Sequence, residues 1–230
     1  MKARETRFAR PVLILFLLAC FMPAQLYAEG SEIPAGGYSK PYKFSTSWFL
    51  DRIATWTKLL KDFKGKPDIN YLEVGTLEGR SALWMLENVL THPTSKITLI
   101  DTFTENNYGT LVSNIELSGQ ADRIKILAGY STDKLRELPS NSIDLAYIDG
   151  SGKGTVMLSD LTSTWHLLKL NGIVMISRYQ LNDQLRKALD LQAGDPGPQE
   201  TIDTFLKFYK PYIKVLAYEP NQVIFQKIRQ

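Results

Sequence analysis

The sequence predicts an α/β fold, a doubly wound and mostly parallel sheet that closes in an antiparallel hairpin. Three observations carry this. Short apolar runs alternate with amphipathic segments through most of the chain, which calls for parallel strands with helices on both faces. Several runs end in glycine or aspartate just before a helical segment. The last two runs, Tyr212 to Tyr218 and Val223 to Ile228, are joined by Glu219-Pro220-Asn221-Gln222, too short a link for a crossover helix.

In chain order, Thr46 to Phe63 places Trp48, Phe49, Ile53, Trp56, Leu59, Leu60 and Phe63 at helical spacing and reads as an amphipathic opening helix. The strands follow at Ile69 to Val74, Ile97 to Ile100, Ile124 to Leu127, Ile143 to Ile148 and Ile173 to Ile176. Helices fall between them at Ser81 to Leu90, Thr110 to Ser118, Thr132 to Leu138 and Thr155 to Leu168. Two more helices, Leu181 to Leu191 and Gln199 to Tyr209, precede the hairpin, with Gly194-Asp195-Pro196-Gly197-Pro198 as the break between them. Together the order gives a Rossmann-like sheet.

At 230 residues, with 44% hydrophobic and 22% charged content, the chain suffices for one cored domain and excludes disordered or collagenous classes. The net charge of +3 comes entirely from the first 28 residues, where Lys2, Arg4, Arg7 and Arg10 outweigh Glu5. The neutral body carries no cationic run of the kind that tracks nucleic acid.

Those first 28 residues have the layout of a secretory signal: a cationic stretch, an apolar stretch from Pro11 to Ala24, and a tail ending at Ala28. The apolar run Val12 to Met22 is shorter than the roughly 20 residues of a membrane span. Cleavage after Ala28 and export to the periplasm or medium is the reading adopted. Its alternatives are a lipoprotein anchored at Cys20, after Leu17-Leu18-Ala19, and an uncleaved anchor. Residues 29 to 45 read as a Gly/Pro/Ser-rich linker, and 46 to 230 as the domain. Cys20 is the only cysteine, so a mature chain has neither disulfide nor thiolate metal site.

In open α/β sheets ligands gather at the carboxyl ends of the strands. The first of these ends reads Glu73-Val74-Gly75-Thr76-Leu77-Glu78-Gly79-Arg80-Ser81, where Gly75 admits a ligand against the backbone and Gly79 precedes a helix N-terminus. Its G-x-x-x-G spacing differs from the dinucleotide G-x-G-x-x-G. The second end is Asp101, a carboxylate placed to accept ribose hydroxyls. The third is Ala128-Gly129-Tyr130-Ser131 and the fourth Tyr147-Ile148-Asp149-Gly150-Ser151. Each has a plainer reading: Gly75 and Gly79 as tight-turn residues, Asp101 as a helix cap. Tyr147, Trp84 and Trp165 read as core, His92 and His166 as structural, and Tyr130 is left open.

Taken in order, E-V-G-T-x-x-G-x-S, a strand-terminal Asp, G-x-S and Y-I-D-G-S resemble class I S-adenosylmethionine-dependent methyltransferases, nearest the small-molecule O-methyltransferase branch, over residues 46 to 228. The resemblance implies that Glu73, Gly75 and Thr76 line the methionine part of the cofactor, with Gly79 also on the cofactor-binding side. It implies that Asp101 holds the ribose, that Gly129 and Ser131 border the adenine, and that Asp149 lies beside the transferred methyl and a small-molecule acceptor. Two positions depart from the family. The fourth motif runs Asp149-Gly150-Ser151-Gly152 without its usual histidine, and Ser177-Arg178-Tyr179 stands where metal-dependent relatives present Asp-Asp or Asp-Asn. Asp149 and Arg178 are therefore the catalytic candidates, with Arg178 expected to pair with Asp149 and no metal expected. An exported binder without activity and another enzyme on the same scaffold are the alternatives. Tyr38, Tyr42, Phe44, Trp48 and Phe49 form either an acceptor lid or packing, with Trp48 and Phe49 read as packing.

Overall fold

The computed structural model describes residues 37–192 and 194–230; the signal-segment and Cys20 readings lie outside them. Seven strands, β1 (Asn70–Val74), β2 (Lys96–Asp101), β3 (Ile124–Ala128), β4 (Ile143–Ile148), β5 (Leu168–Ser177), β6 (Ile213–Glu219) and β7 (Gln222–Lys227), form one sheet in the order β3-β2-β1-β4-β5-β7-β6. The first five run parallel. β7 enters antiparallel between β5 and β6, so the expected hairpin is present and completes the Rossmann-like sheet.

The helices are α1 (Ile53–Leu59), α2 (Arg80–Asn88), α3 (Glu105–Ser118), α4 (Ser131–Lys134), α5 (Gly154–Leu167), α6 (Asp183–Ala188) and α7 (Pro198–Tyr209). Strand periodicity divides the core in two. Tyr71, Leu99, Leu145, Tyr147, Met175 and Ile224 face one way, against Trp56, Trp84 and Met85 of α1 and α2. Leu72, Val74, Ile100, Ile148, Val174 and Phe225 face the other, against Met157, Leu161 and Trp165 of α5 and Phe205 of α7.

Several boundaries shift for local reasons. The opening helix expected over Thr46 to Phe63 is broken into a 3₁₀ turn at Leu50–Arg52, α1, and a second 3₁₀ turn at Lys61–Phe63. Its first residues stay outside because the Arg52 guanidinium takes the Trp48 carbonyl, removing an acceptor the helix would have used. α3 begins at Glu105 rather than Thr110, since the Thr104 hydroxyl accepts the Asn107 N–H and caps it. β5 starts five residues earlier than its apolar run, passing through Asn171 in the left-handed region.

Residues 38–45 form a strap across α2 and α3. Glu87 accepts from the Ser39 N–H and hydroxyl and from the Tyr42 hydroxyl, Asn114 brackets both backbone groups of Lys43, and Glu78 accepts the Ser45 N–H. Tyr38, Tyr42 and Phe44 contact one another, and the Arg80 guanidinium lies 4.3 Å from the Phe44 ring centre. Of the five aromatics considered as a lid, these three are packing.

At the centre, β1 and β4 end side by side. Gly75 has φ +85°, and a Cβ there would sit 2.4 Å from the Asp149 carbonyl oxygen. Both backbone conformation and space require glycine. Gly75→Ala is expected to destabilise the fold by about 2–4 kcal/mol, from left-handed strain plus overpacking, measured as a lowered urea midpoint.

Candidate active site

The carboxyl ends of β1, β2, β3 and β4 surround a cavity of about 440 Å³. Backbone bonds lock these ends together: Gly75 N–H donates to Ile100 O, Asp149 N–H to Val74 O, and Gly129 N–H to Asp101 O, each at 2.8 Å. Gly75, Thr76, Asp101, Gly129, Ser131, Asp149 and Arg178 all line the cavity, so the structure brings together seven of the nine residues singled out from sequence.

Glu73 and Gly79, expected to hold ligand with them, do not line it. Glu73 is fully buried under the glycine loop and accepts from the Tyr71 hydroxyl at 2.5 Å and the Ser81 hydroxyl at 2.8 Å. Gly79 is the left-handed N-cap of α2, and a Cβ on it would meet Leu111 at 2.7 Å. Both support the loop from behind.

Asp101 ties two loops together. One carboxylate oxygen accepts the Leu77 N–H and the other the Phe103 N–H, each at 2.9 Å. Leu77 and Phe103 have φ of 51° and 47°, a conformation costing roughly 1–2 kcal/mol for such side chains, and these bonds hold them in it. The helix-cap alternative fails, since Thr104 caps α3. Each Asp101 oxygen retains a lone pair, and the residue lines the cavity.

At the far side, the Arg178 Nε donates to one Asp149 oxygen at 2.9 Å and the Tyr147 hydroxyl to the other at 2.8 Å. The expected ion pair is therefore formed. Burial pulls the Arg178 guanidinium down, but the Asp149 charge outweighs it and the group is held charged above its ordinary value. Arg178 itself stands at φ 60°, fixed by its N–H to the Asn221 carbonyl in the β6–β7 turn. The hairpin thus sets the arginine.

Several contributors carried no motif. Arg52 is buried and donates to the Ser177 hydroxyl at 2.8 Å, so a second guanidinium sits behind the end of β5. Tyr147 packs in the core as read, yet its hydroxyl reaches the site. Trp48 was read as packing and is half exposed at the cavity rim, whereas Phe49 packs on Trp56 and Trp84 and touches the cavity as well. Tyr130 is 72% exposed at the opposite rim. Trp84, Trp165 and the helix position of His166 are as expected.

Comparison with known proteins bears on the fold that carries this cavity. Residues 72–177 match the family model described as a methyltransferase domain. The fold agrees with solved structures of methyltransferases. An O-methyltransferase from Streptomyces achromogenes involved in tomaymycin synthesis, in complex with S-adenosylmethionine, is 14% identical with a TM-score of 0.59, covering 81% of this chain and 82% of that one. A Podospora anserina methyltransferase bound to S-adenosylhomocysteine is 19% identical with a TM-score of 0.58, covering 79% and 80%. An O-methyltransferase from Bacillus cereus with the same ligand is 17% identical with a TM-score of 0.54, covering 76% and 81%. At these identities the likeness is one of fold. No curated protein sequence matches the chain.

Beneath the glycine loop, Glu73 is the outstanding titratable group. Burial pushes its carboxyl up to about 7, against the opposing effect of the Tyr71, Ser81 and Thr76 hydroxyls. Between its ordinary value near 4.5 and about 7 the folded chain binds the proton that the unfolded chain has lost, so stability falls as pH rises through that window. The change is on the order of 3 kcal/mol. Glu73→Gln is expected to flatten this slope, giving urea midpoints at about pH 5 and about pH 8 that differ less than in the wild type.

Proposed function

We propose that the protein is an exported, S-adenosylmethionine-dependent methyltransferase that acts on an oxygen of a small-molecule acceptor without a metal ion. The observation that carries this is the cavity itself. It is lined by the Asp101 carboxylate, by glycines at Gly75 and Gly129, and by the Arg178–Asp149 guanidinium–carboxylate pair.

The residues fit such a ligand. Asp101 accepts from ribose hydroxyls through its free lone pairs, Gly129 and Ser131 border the base, and Gly75 and Thr76 leave room for the amino-acid tail. When bound, the cofactor supplies a methyl group already activated on a sulfonium, so the chain needs to contribute orientation more than acid–base power. Asp149 and Arg178 provide the polar wall against which an acceptor oxygen is held, the guanidinium favouring an anionic one. Trp48 offers an apolar face at the rim.

Metal independence is supported by the donor set. Both Asp149 oxygens are engaged by donors, and Ser177, the next position in the family's ligand pattern, accepts from Arg52. A divalent cation needs several oxygen ligands and would have to displace a guanidinium. The same engagement of Asp149 favours a second reading, a cofactor binder without turnover.

Titration calorimetry with S-adenosylhomocysteine separates these. Binding is expected, and unchanged by magnesium or chelator. Asp101→Ala is expected to weaken it by at least about tenfold, or 1.4 kcal/mol, and to free the Leu77 and Phe103 amides to hydrogen exchange. Arg178→Ala is expected to lower acceptor turnover while leaving cofactor affinity within about twofold. Cofactor binding without turnover of any oxygen acceptor supports the binder.

Export rests on the cationic, apolar and Ala28-terminated segments of the sequence. Among the described residues no helix is long and apolar enough to cross a membrane. Intact-mass measurement on the native protein is expected to give a chain beginning at Glu29; a diacylated Cys20 selects the lipoprotein form, and retention of Met1 in the cytosol refutes export.

A further inference from the structure

The cavity wall carries little that can take a proton from an acceptor. Among the described residues its titratable side chains are Glu78, Arg80, Asp101, Tyr130, Asp149 and Arg178, with no histidine or lysine. Each carboxylate is already engaged: Glu78 by the Ser45 N–H at 2.5 Å, Asp101 by the Leu77 and Phe103 amides, and Asp149 by the Tyr147 hydroxyl and the Arg178 Nε. Glu73 and Asp160, the two carboxyls that burial raises, do not line the cavity. An ordinary carboxylate ionises near about pH 4 and a phenol near about pH 10, so moving a phenol proton onto a carboxylate is unfavourable by a factor of about a million. A proton on Asp149 would also break the pair that fixes Arg178.

What the wall offers instead is donors. Arg178 spends its Nε on Asp149, and neither Nη meets an acceptor among the described residues, although the residue lines the cavity. Its backbone is held by the Asn221 carbonyl and its guanidinium by Asp149, so the two Nη groups form a preorganised fork. Arg52, paired on its outer side with Asp51, adds a second positive charge behind Ser177. Trp48 and Phe49 give the same cavity apolar surface.

We infer that the acceptor is a carboxylic acid, bound as its carboxylate on the two Nη groups of Arg178 with its apolar body against Trp48 and Phe49, and that the product is a methyl ester. An acid ionised in solution brings its own nucleophile and leaves no proton for the wall to remove. One carboxylate oxygen uses a lone pair to form the new C–O bond, the bond from the methyl carbon to sulfur breaks with its electron pair staying on sulfur, and the carboxylate and sulfonium charges cancel. The ester has lost the charge that the guanidinium held, so the fork favours acid over product. The inference rests on the methyl-transfer reading for the reaction, not for the anion site.

The test is calorimetry of benzoate, phenylacetate and octanoate against their methyl esters, with and without S-adenosylhomocysteine, together with transfer of labelled methyl from S-adenosylmethionine to the same acids, to phenol and to benzyl alcohol. At least one acid is expected to bind at least about tenfold more tightly than its ester. Arg178→Gln is expected to remove that preference and Arg178→Lys to keep part of it. Asp149→Asn, which takes away the competing charge, is expected to leave it equal or larger, and reads the fork if both Arg178 variants fail to fold. Label is expected in a product that alkali converts to methanol, formed at a rate that is flat between about pH 6 and about pH 9, where the acids are fully ionised. Acid and ester bound alike in all three pairs, Arg178→Gln keeping the preference, Asp149→Asn losing it, or acids bound but never esterified overturns the inference. Transfer to phenol or benzyl alcohol alone, at a rate that rises through that pH window, overturns it while leaving methyl transfer standing. A protein that does not bind S-adenosylhomocysteine but prefers acids through Arg178 overturns methyl transfer and the ester with it, and leaves the anion site.

Discussion

The close approach of two backbones where β1 and β4 end is the constraint on which the rest depends. In the order β3-β2-β1-β4-β5-β7-β6 the chain winds outward in one direction from β1 and in the other from β4. The connections leaving these neighbours therefore diverge and open a crevice between them. Closing the floor of that crevice brings the backbone at Gly75 against Asp149 and Gly150, at a separation that admits no Cβ. Once that contact is made, the other parts have fixed places. Val74 and Ile100 carbonyls receive the neighbouring loops' N–H groups, Asp101 clamps Leu77 and Phe103, and Asp149 is presented at the rim beside Arg178.

The polar groups of the site are set by the elements behind them. Arg178 owes its direction to the β6–β7 turn, through Asn221, and Tyr147 owes its position to ring packing with Trp56 at 4.8 Å. Arg52 reaches Ser177 from the turn before α1 while also holding the Trp48 carbonyl, which places the Trp48 ring at the rim. The two guanidinium groups and the apolar rim are thus positioned by the opening turns and the terminal hairpin, parts of the chain that lie outside the run of glycine loops in sequence.

That distance explains what was legible in the sequence. Strand order and the glycine and aspartate turns are local: each is written in a few consecutive residues at a strand end, and six of the eight cofactor-side residues fall where that local grammar puts them. Glu73 and Gly79 belong to the same motif but act from beneath, because strand alternation turns Glu73 toward α2 and the N-cap conformation turns Gly79 toward Leu111. Arg52 and Trp48 were hidden because their roles depend on contacts spanning 125 residues or on one carbonyl leaving a helix. Asp160 left a trace that pattern reading passes over, a carboxylate between Met157 and Leu161 on the buried face of α5.

Two buried acids now stand on opposite faces of the sheet, Glu73 on the α2 side and Asp160 on the α5 side. Both are pushed up by burial, to about 7 and about 6, so each lowers the stability of the ionised fold relative to a neutral residue in its place. Packing alone gives no reason to keep either, since apolar residues of similar size would fill the same volume without the desolvation penalty. Glu73 returns part of its cost by organising the Tyr71 and Ser81 hydroxyls under the first loop. Asp160 has no hydrogen-bond donor in range among the described residues, so its desolvation goes uncompensated and its carboxyl resists ionisation.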